Sequence, residues 1–293
     1  RASLCLEQNS RPRLNTMNQT PIIPEIKAEQ SIELLKELHI LTRDGKLNQD
    51  SRRKLKQVYH LYQFIEPLMA DILQDKQALS LVDHGAGKSY LGFILYDLYL
   101  KKFPQAHVYG IETRAGLVHK SEDLAERLGF TSGMSFKHMT VEEAIATTDL
   151  PEQIDIVTAL HACNTATDDA IRFGLARNAR YMVIVPCCQA QVASVLRANK
   201  GQTLGMTPLS ELWRHPLHTR EFGSQITNVL RCLQLEARGY QVTVTELVGW
   251  EHSMKNELII AKKVGGFKKS ARERQLAILE QCNLLALKDH FAY

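Results

Sequence analysis

The sequence predicts an α/β protein. A largely parallel sheet carries helices on both faces, a helical segment precedes it, and an antiparallel hairpin closes it. Three observations support this. From residue 78 onward, apolar runs of strand length alternate with stretches of helical spacing, the pattern of a parallel sheet buried on both sides. A turn with two glycines, GAGKS at 85–89, directly follows the first of those runs. Near the end, YQVTVTELVG and ELIIAKK lie too close together for a crossover helix, so they pair as a hairpin.

The elements follow in order. Residues 1–24 show no periodicity and no apolar core of a secretory signal, and are expected to be a disordered or extraneous tail. Residues 25–75 read as a helical extension. Ile32, Leu34, Leu35, Leu38 and Ile40 suggest a helix over 25–42, which Asp44-Gly45 breaks. Asn48, Asp50 or Ser51 caps a second helix reaching about Gln74, with Leu55, Val58, Tyr62, Ile65 and Met69 on one stripe. Its basic start, RRKLKQ, is either a solvated face or a phosphate-contacting one. Residues 76–265 form the core. Its strands are ALSLVD, HVYGIE, MSFKHM, IDIVTAL and YMVIVP, then the hairpin, and helical stretches separate the first five. Residues 197–222 read as irregular, 223–238 as helix, and 266–293 as a linker and closing helix.

Composition narrows the function classes. With 44% hydrophobic and 23% charged residues, the chain is neither disordered nor fibrous. No apolar run approaches the roughly 20 residues of a membrane-spanning helix. The net charge of +4 is compatible with a nucleic-acid partner and does not demand one. Six cysteines without framework spacing, two of them adjacent, read as reduced thiols of a cytoplasmic protein.

The glycine turn narrows the ligand. A triphosphate-binding loop needs a glycine where Val82 stands, and a dinucleotide fingerprint needs one at Tyr90. Asp83, just before the turn, would repel a pyrophosphate. It suits instead a ligand with a cationic end, such as the ammonium and sulfonium of S-adenosylmethionine, paired directly or through water. Gly85 and Gly87 let the backbone approach such a ligand closely. Glu112 ends the second strand beside that turn, placed to accept both hydroxyls of a ribose. Met139, Thr140 and Val141 would wall the adenine, and Leu160, ending the fourth strand, would border the transferred methyl.

The segments DHGAGKSYLGFILYD, ALHACNTATDDAI, VPCCQ and EHSMKNELIIA together resemble class I S-adenosylmethionine-dependent methyltransferases. More narrowly they resemble the methyltransferase-domain family that includes methyltransferase-like 25 proteins and the glutathione S-transferase C-terminal domain-containing protein. The resemblance spans roughly residues 50 to 263. It implies a Rossmann-like seven-stranded sheet of order 3-2-1-4-5-7-6 with strand 7 antiparallel, S-adenosyl-L-methionine as cofactor, and methyl transfer as the activity. Asn164-Thr165 stands where family members often have Gly-Asp, so no acid falls there, although Asp168 and Asp169 are near. A fainter resemblance runs to tRNA 2′-O-methyltransferases with a paired-cysteine motif.

The loops after the fourth and fifth strands should border the acceptor. They supply the catalytic candidates His161, Cys187 and Cys188, with Cys163 beside them. His161 serves as base or orienting group if the nucleophile is a hydroxyl or a protonated amine. The thiols either pack the pocket floor or, with spacings unlike the usual chelating ones, hold zinc; no metal is expected. RNA is the leading acceptor. The basic Arg52–Lys56 face would contact phosphates, and the stretch Trp213, Arg214, His215, His218 and Arg220 would clamp an exposed base, cap a smaller substrate or simply pack, with His252 and Lys255 either substrate contacts or a solvated turn. Small-molecule and protein acceptors stay open, as does a non-catalytic binding protein of the same fold.

Overall fold

A computed structural model describes residues 24–27, 29–160, 165–186, 190–203, 208–247 and 257–292. The helices are α1 (Ile32–Glu37), α2 (Gln49–Lys76), α3 (Tyr90–Leu98), α4 (Ala115–Arg127), α5 (Val141–Ala146), α6 (Ala166–Ala176), α7 (Gln191–Ala198), α8 (Lys200–Thr203), α9 (Pro216–Ala237) and α10 (Lys269–Gln281). The strands are β1 (Leu79–His84), β2 (Ala106–Glu112), β3 (Met134–His138), β4 (Ile156–Leu160), β5 (Tyr181–Val185), β6 (Tyr240–Glu246) and β7 (Glu257–Lys263). Ser31–Tyr293, which holds all of these elements, forms one compact unit.

The seven strands lie in the order β3-β2-β1-β4-β5-β7-β6. The first five run parallel, and β7 is antiparallel to both β5 and β6. The central strands are apolar because both their faces are covered: every residue of β5 is buried, whereas the edge strand β6 alternates and stays largely exposed. Val82, Val157, Ile184 and Ile259 of the sheet pack with Ile171 and Phe173 of α6 and Leu235 of α9 in one core. Each such side chain contributes about 1.5–3 kcal/mol by leaving water. A smaller core joins Trp213, Leu230, Leu279 and Phe291 beneath the C-terminal helices.

The helical extension is shaped by its caps. Ser31 caps α1, accepting the Leu34 amide, and its own amide donates to the buried Asp97 of α3 at 2.8 Å. Asn48 caps α2, accepting the Ser51 amide at 2.8 Å. Leu55, Leu61, Tyr62, Ile65, Met69 and Ile72 are buried along α2, while Arg52, Arg53, Lys54 and Lys56 stand exposed at its start.

Three expectations need correcting. The first helix is a short turn-and-a-half, because His39 takes a left-handed φ of 55° and ends it early. The described part of the stretch 197–222 is not irregular: α9 begins at Pro216, where the missing N–H of proline costs a helix nothing. Within 266–293 the closing helix covers Lys269–Gln281 and stops well short of the end, with Asn283 left-handed just beyond it.

Candidate active site

The strand order reverses about β1, whose neighbours are β2 and β4, and ligands of open α/β sheets bind at the carboxyl ends beside such a point. There the chain leaves β1 at His84, turns through residues 85–89 and enters α3. Gly85 and Gly87 take left-handed φ values of 67° and 59°. Ser89 is also left-handed, at 50°, and fully buried. A non-glycine residue holds that conformation only when its surroundings enforce it.

Asp83 supplies the enforcement. Its Oδ2 accepts the Ser89 hydroxyl at 2.9 Å, its Oδ1 accepts the Thr158 hydroxyl of β4 at 2.9 Å, and the Gly92 amide donates to it as well. Gly92 has no room for a side chain, since a Cβ there would lie 2.5 Å from Ser89 Oγ. Asp83 is only 2% exposed. Burial pushes its carboxyl up to about 6 despite those three donors. The Asp83 oxygens thus lie beneath the turn and shape it through Ser89 and Thr158.

Glu112 faces the turn from the end of β2. Its Oε2 accepts the Gly87 amide at 2.8 Å and Arg114 Nη2 at 3.0 Å. Its Oε1 accepts Arg114 Nε at 2.9 Å and the Arg114 amide at 3.0 Å. Burial alone would raise this carboxyl, but the Arg114 guanidinium and the two amides outweigh it and hold it at about 2. Glu112 is thus an anion at any physiological pH, fixed to the glycine turn by a backbone N–H. The Arg114 side chain is 67% exposed.

His84 directly follows Asp83 and ends β1. Its ring stacks obliquely on Phe173 of α6, 5.5 Å away, so it faces the sheet's other side. Burial and the nearby Arg172 lower its imidazole to about 4, which leaves it neutral. Neither ring nitrogen has a hydrogen-bond partner among the described residues.

The remaining donor candidates gather around the same edge. Thr140 caps α5, accepting the Glu143 amide while the Glu143 carboxylate accepts the Thr140 amide. Val141 is buried behind it, and the Met139 amide donates to the Glu112 carbonyl at 3.3 Å. Leu160, half-buried, lines a cavity shared with Tyr90. These residues fit a sulfonium nucleoside: a permanently ionised carboxylate at a strand end, a turn without side chains, and an apolar neighbour at β4. The acceptor-side candidates His161, Cys163, Cys187, Cys188, His252 and Lys255 lie outside the described residues.

Two sequence candidates are committed elsewhere. Trp213, expected to stack on an exposed base, is 1% exposed and packs face to face with Phe222 at 5.2 Å, so it belongs to the core. Arg214 and Arg220 of the same stretch pair with Glu211 and Glu221. Asp168 accepts both Nε and Nη2 of the fully buried Arg231 at 2.6 and 2.7 Å and lies 3.2 Å from His290. Burial opposes its ionisation, but the bonds from His290 and Arg231 prevail and lower its pKa. Sequence reasoning missed Ser89, Thr158, Gly92 and Arg114. The one signal for Thr158 was its being the only hydroxyl inside the apolar run IDIVTAL.

No curated protein matches the chain significantly. Solved structures of similar fold include the magnesium protoporphyrin IX methyltransferase of Synechocystis with bound S-adenosylhomocysteine. It is 16% identical, with a TM-score of 0.42, over 80% of this chain and 96% of that one. Another is the S-adenosylhomocysteine-bound methyltransferase PaMTH1 of Podospora anserina, at 10% identity and a TM-score of 0.44 over 80% and 87% of the two chains. A third is TrmK of M. capricolum with the same cofactor product, at 12% and 0.40 over 73% and 89%. Residues 53–195, which hold the glycine turn, Asp83, Glu112 and the β4 edge, match the family described as "Methyltransferase domain". That match takes in just under half of the chain and marks it as carrying a methyltransferase domain, for which S-adenosylmethionine is the methyl donor.

Proposed function

We propose that the protein methylates RNA, binding the methyl donor at the glycine turn and the acceptor over the ends of β4 and β5. The observation that carries the donor site is the Glu112 carboxylate, fixed to the Gly87 amide at 2.8 Å and ionised throughout the physiological range. Glu112 holds the ribose hydroxyls. Gly85 and Gly87 admit the methionine portion to the backbone, and Thr140 and Val141 flank the adenine. Asp83 acts as a positioning residue through Ser89. Leu160 borders the methyl, with His161, Cys187 and Cys188 on the acceptor side.

Bound S-adenosylmethionine supplies a methyl carbon already activated by its sulfonium. What remains for the chain is to align the acceptor in line with that carbon, and alignment is the larger part of such catalysis. His161 takes a proton only where the acceptor carries one at the attacking atom. RNA is favoured by the start of α2, where Arg52, Arg53, Lys54 and Lys56 are exposed and Asp50, paired with Lys54, is the acid of the first turn.

Calorimetry with S-adenosylhomocysteine tests the donor site, and transfer of labelled methyl into total RNA and total protein tests the acceptor. Saturable donor binding with label entering RNA is expected. Label confined to protein would overturn the RNA reading, and donor binding without transfer to any pool would make this a binding protein.

A further inference from the structure

We propose that the cavity between α2, α3 and the ends of β4 and β6 is the acceptor pocket, and that it receives one nucleobase of the RNA strand. The target is thus a base rather than a ribose hydroxyl. This deepens the RNA reading above and rests on it.

The cavity encloses about 320 Å³, within the range of small-ligand sites. Val58 and Leu61 of α2, Ile94 of α3, Leu160 at the end of β4 and Leu247 after β6 make its walls largely apolar. A ribose or phosphate brought against such walls would lose hydration without gaining partners. A base loses little, because its two faces are apolar and only its edge needs polar contacts. Tyr90, Gln57 and His39 lie among the lining residues and offer donors and acceptors for that edge.

Position favours the same assignment. Tyr90 directly follows the buried Ser89 of the glycine turn, and Leu160 ends the strand whose Thr158 helps to hold that turn. The cavity therefore shares its walls with the donor edge.

Charge identifies what delivers the base. Lys54, Gln57, Val58 and Leu61 fall at helical spacings of three and four, on one face of α2. The Lys54 ammonium, paired with Asp50 at 2.9 Å, thus stands one turn beyond the apolar wall, and Arg52, Arg53 and Lys56 are exposed around it. An apolar pocket bordered by a cationic helix start fits a base turned out of a polyanionic strand. A free apolar acceptor would have no use for that charge.

Transfer forms one bond, from a nitrogen lone pair of the base to the methyl carbon. It breaks one carbon–sulfur bond, whose electron pair neutralises the sulfonium, and a proton carried by that nitrogen passes to the general base assigned above and from there to solvent.

Val58→Trp, at a half-buried wall position, fills the cavity, and Lys54→Glu reverses the charge beside it without touching the core. Three readouts apply to the full chain: S-adenosylhomocysteine affinity by calorimetry, RNA affinity by anisotropy of a labelled single strand, and label in nucleosides after digestion of methylated RNA. The wild type should place the label on a base. Val58→Trp should bind S-adenosylhomocysteine as the wild type does while losing at least about tenfold in transfer. Lys54→Glu should weaken RNA binding and flatten its salt dependence. Label on a ribose oxygen, or undiminished transfer by Val58→Trp, would overturn the pocket assignment while leaving the RNA reading intact. Loss of S-adenosylhomocysteine binding by Val58→Trp with unchanged thermal unfolding would give the cavity to the donor and overturn it too. RNA binding by Lys54→Glu equal to the wild type would overturn the delivery by α2. No label in RNA from the wild type would end both readings.

Discussion

Arg114 and the donor compete for one carboxylate, and removing Arg114 should tighten donor binding. A carboxylate offers about four acceptor positions. Glu112 already fills them with the Gly87 amide at 2.8 Å and with the Arg114 amide, Nε and Nη2 at 3.0, 2.9 and 3.0 Å. Two ribose hydroxyls can be received only if the guanidinium withdraws, since the two amides belong to the fixed backbone. Withdrawal is inexpensive because the Arg114 side chain is 67% exposed. Arg114 is open to water while Glu112 is 7% exposed, and for a pair open on one side only we take about 1 kcal/mol, the upper end of the range for exposed pairs. Arg114→Ala removes the competitor, so S-adenosylhomocysteine should bind up to about fivefold more tightly at 1.4 kcal/mol per decade. Calorimetry at fixed ionic strength measures this directly. The pH profile supplies a second reading with a definite sign. Glu112, held at about 2, keeps donor affinity level as pH falls through 4 in the wild type. Without the guanidinium its pKa rises toward the ordinary range, so affinity in Arg114→Ala should begin to fall near pH 4–5. Weaker binding by Arg114→Ala at pH 7 would show that Arg114 is itself a donor contact and would refute the competition.

Other consequences follow from the same geometry. Asp83 holds its proton more tightly folded than unfolded, at about 6 against 3.8, so its ionisation costs stability as pH rises from about 4 to about 6 and no more above that. Asp83→Asn should remove this slope, worth up to about 3 kcal/mol, and urea unfolding of both proteins across that window would show parallel curves if the assignment is wrong. Gly92→Ala places a Cβ 2.5 Å from Ser89 Oγ and should cost about 1–3 kcal/mol while weakening S-adenosylhomocysteine binding, since the turn must shift. Equal affinity in that variant would detach the Ser89 conformation from donor binding. Asp168→Ala leaves the Arg231 guanidinium buried and unpaired, which should cost about 3–5 kcal/mol in thermal unfolding; a change under about 1 kcal/mol would mean that water replaces the carboxylate.

The sheet was legible because its signals are local and redundant. Five apolar runs alternated with helical stretches, and two crowded strands at the end forced the antiparallel pair. Glu112 was legible for a related reason: an acid ending the strand next to β1 must arrive beside the first turn in a parallel sheet. Trp213 misled because its neighbours Arg214, His215 and His218 looked like a clamp. The helix that buries it against Phe222 starts at a proline, a residue more readily read as a break. Arg114 was invisible because its direction depends on how the chain curls after β2.

Asp83 shows where one-dimensional reading stops. The residue type and its place before the glycines were read correctly, yet both features suit a carboxylate facing a ligand and one facing the turn. The choice is made by the pairing of β1 with β4, which sets Thr158 opposite Asp83 from 75 positions away, and by the lack of a side chain at Gly92. Together they draw the carboxylate beneath the turn, where Ser89 can hold an otherwise strained conformation. In the proposed reading Glu112 presents charge to the donor and Asp83 gives the backbone its shape. Loss of donor binding on mutating Asp83 then reports deformation of the turn, the Arg114 variant reports competition for the carboxylate, and a Glu112 variant measures contact with the ligand.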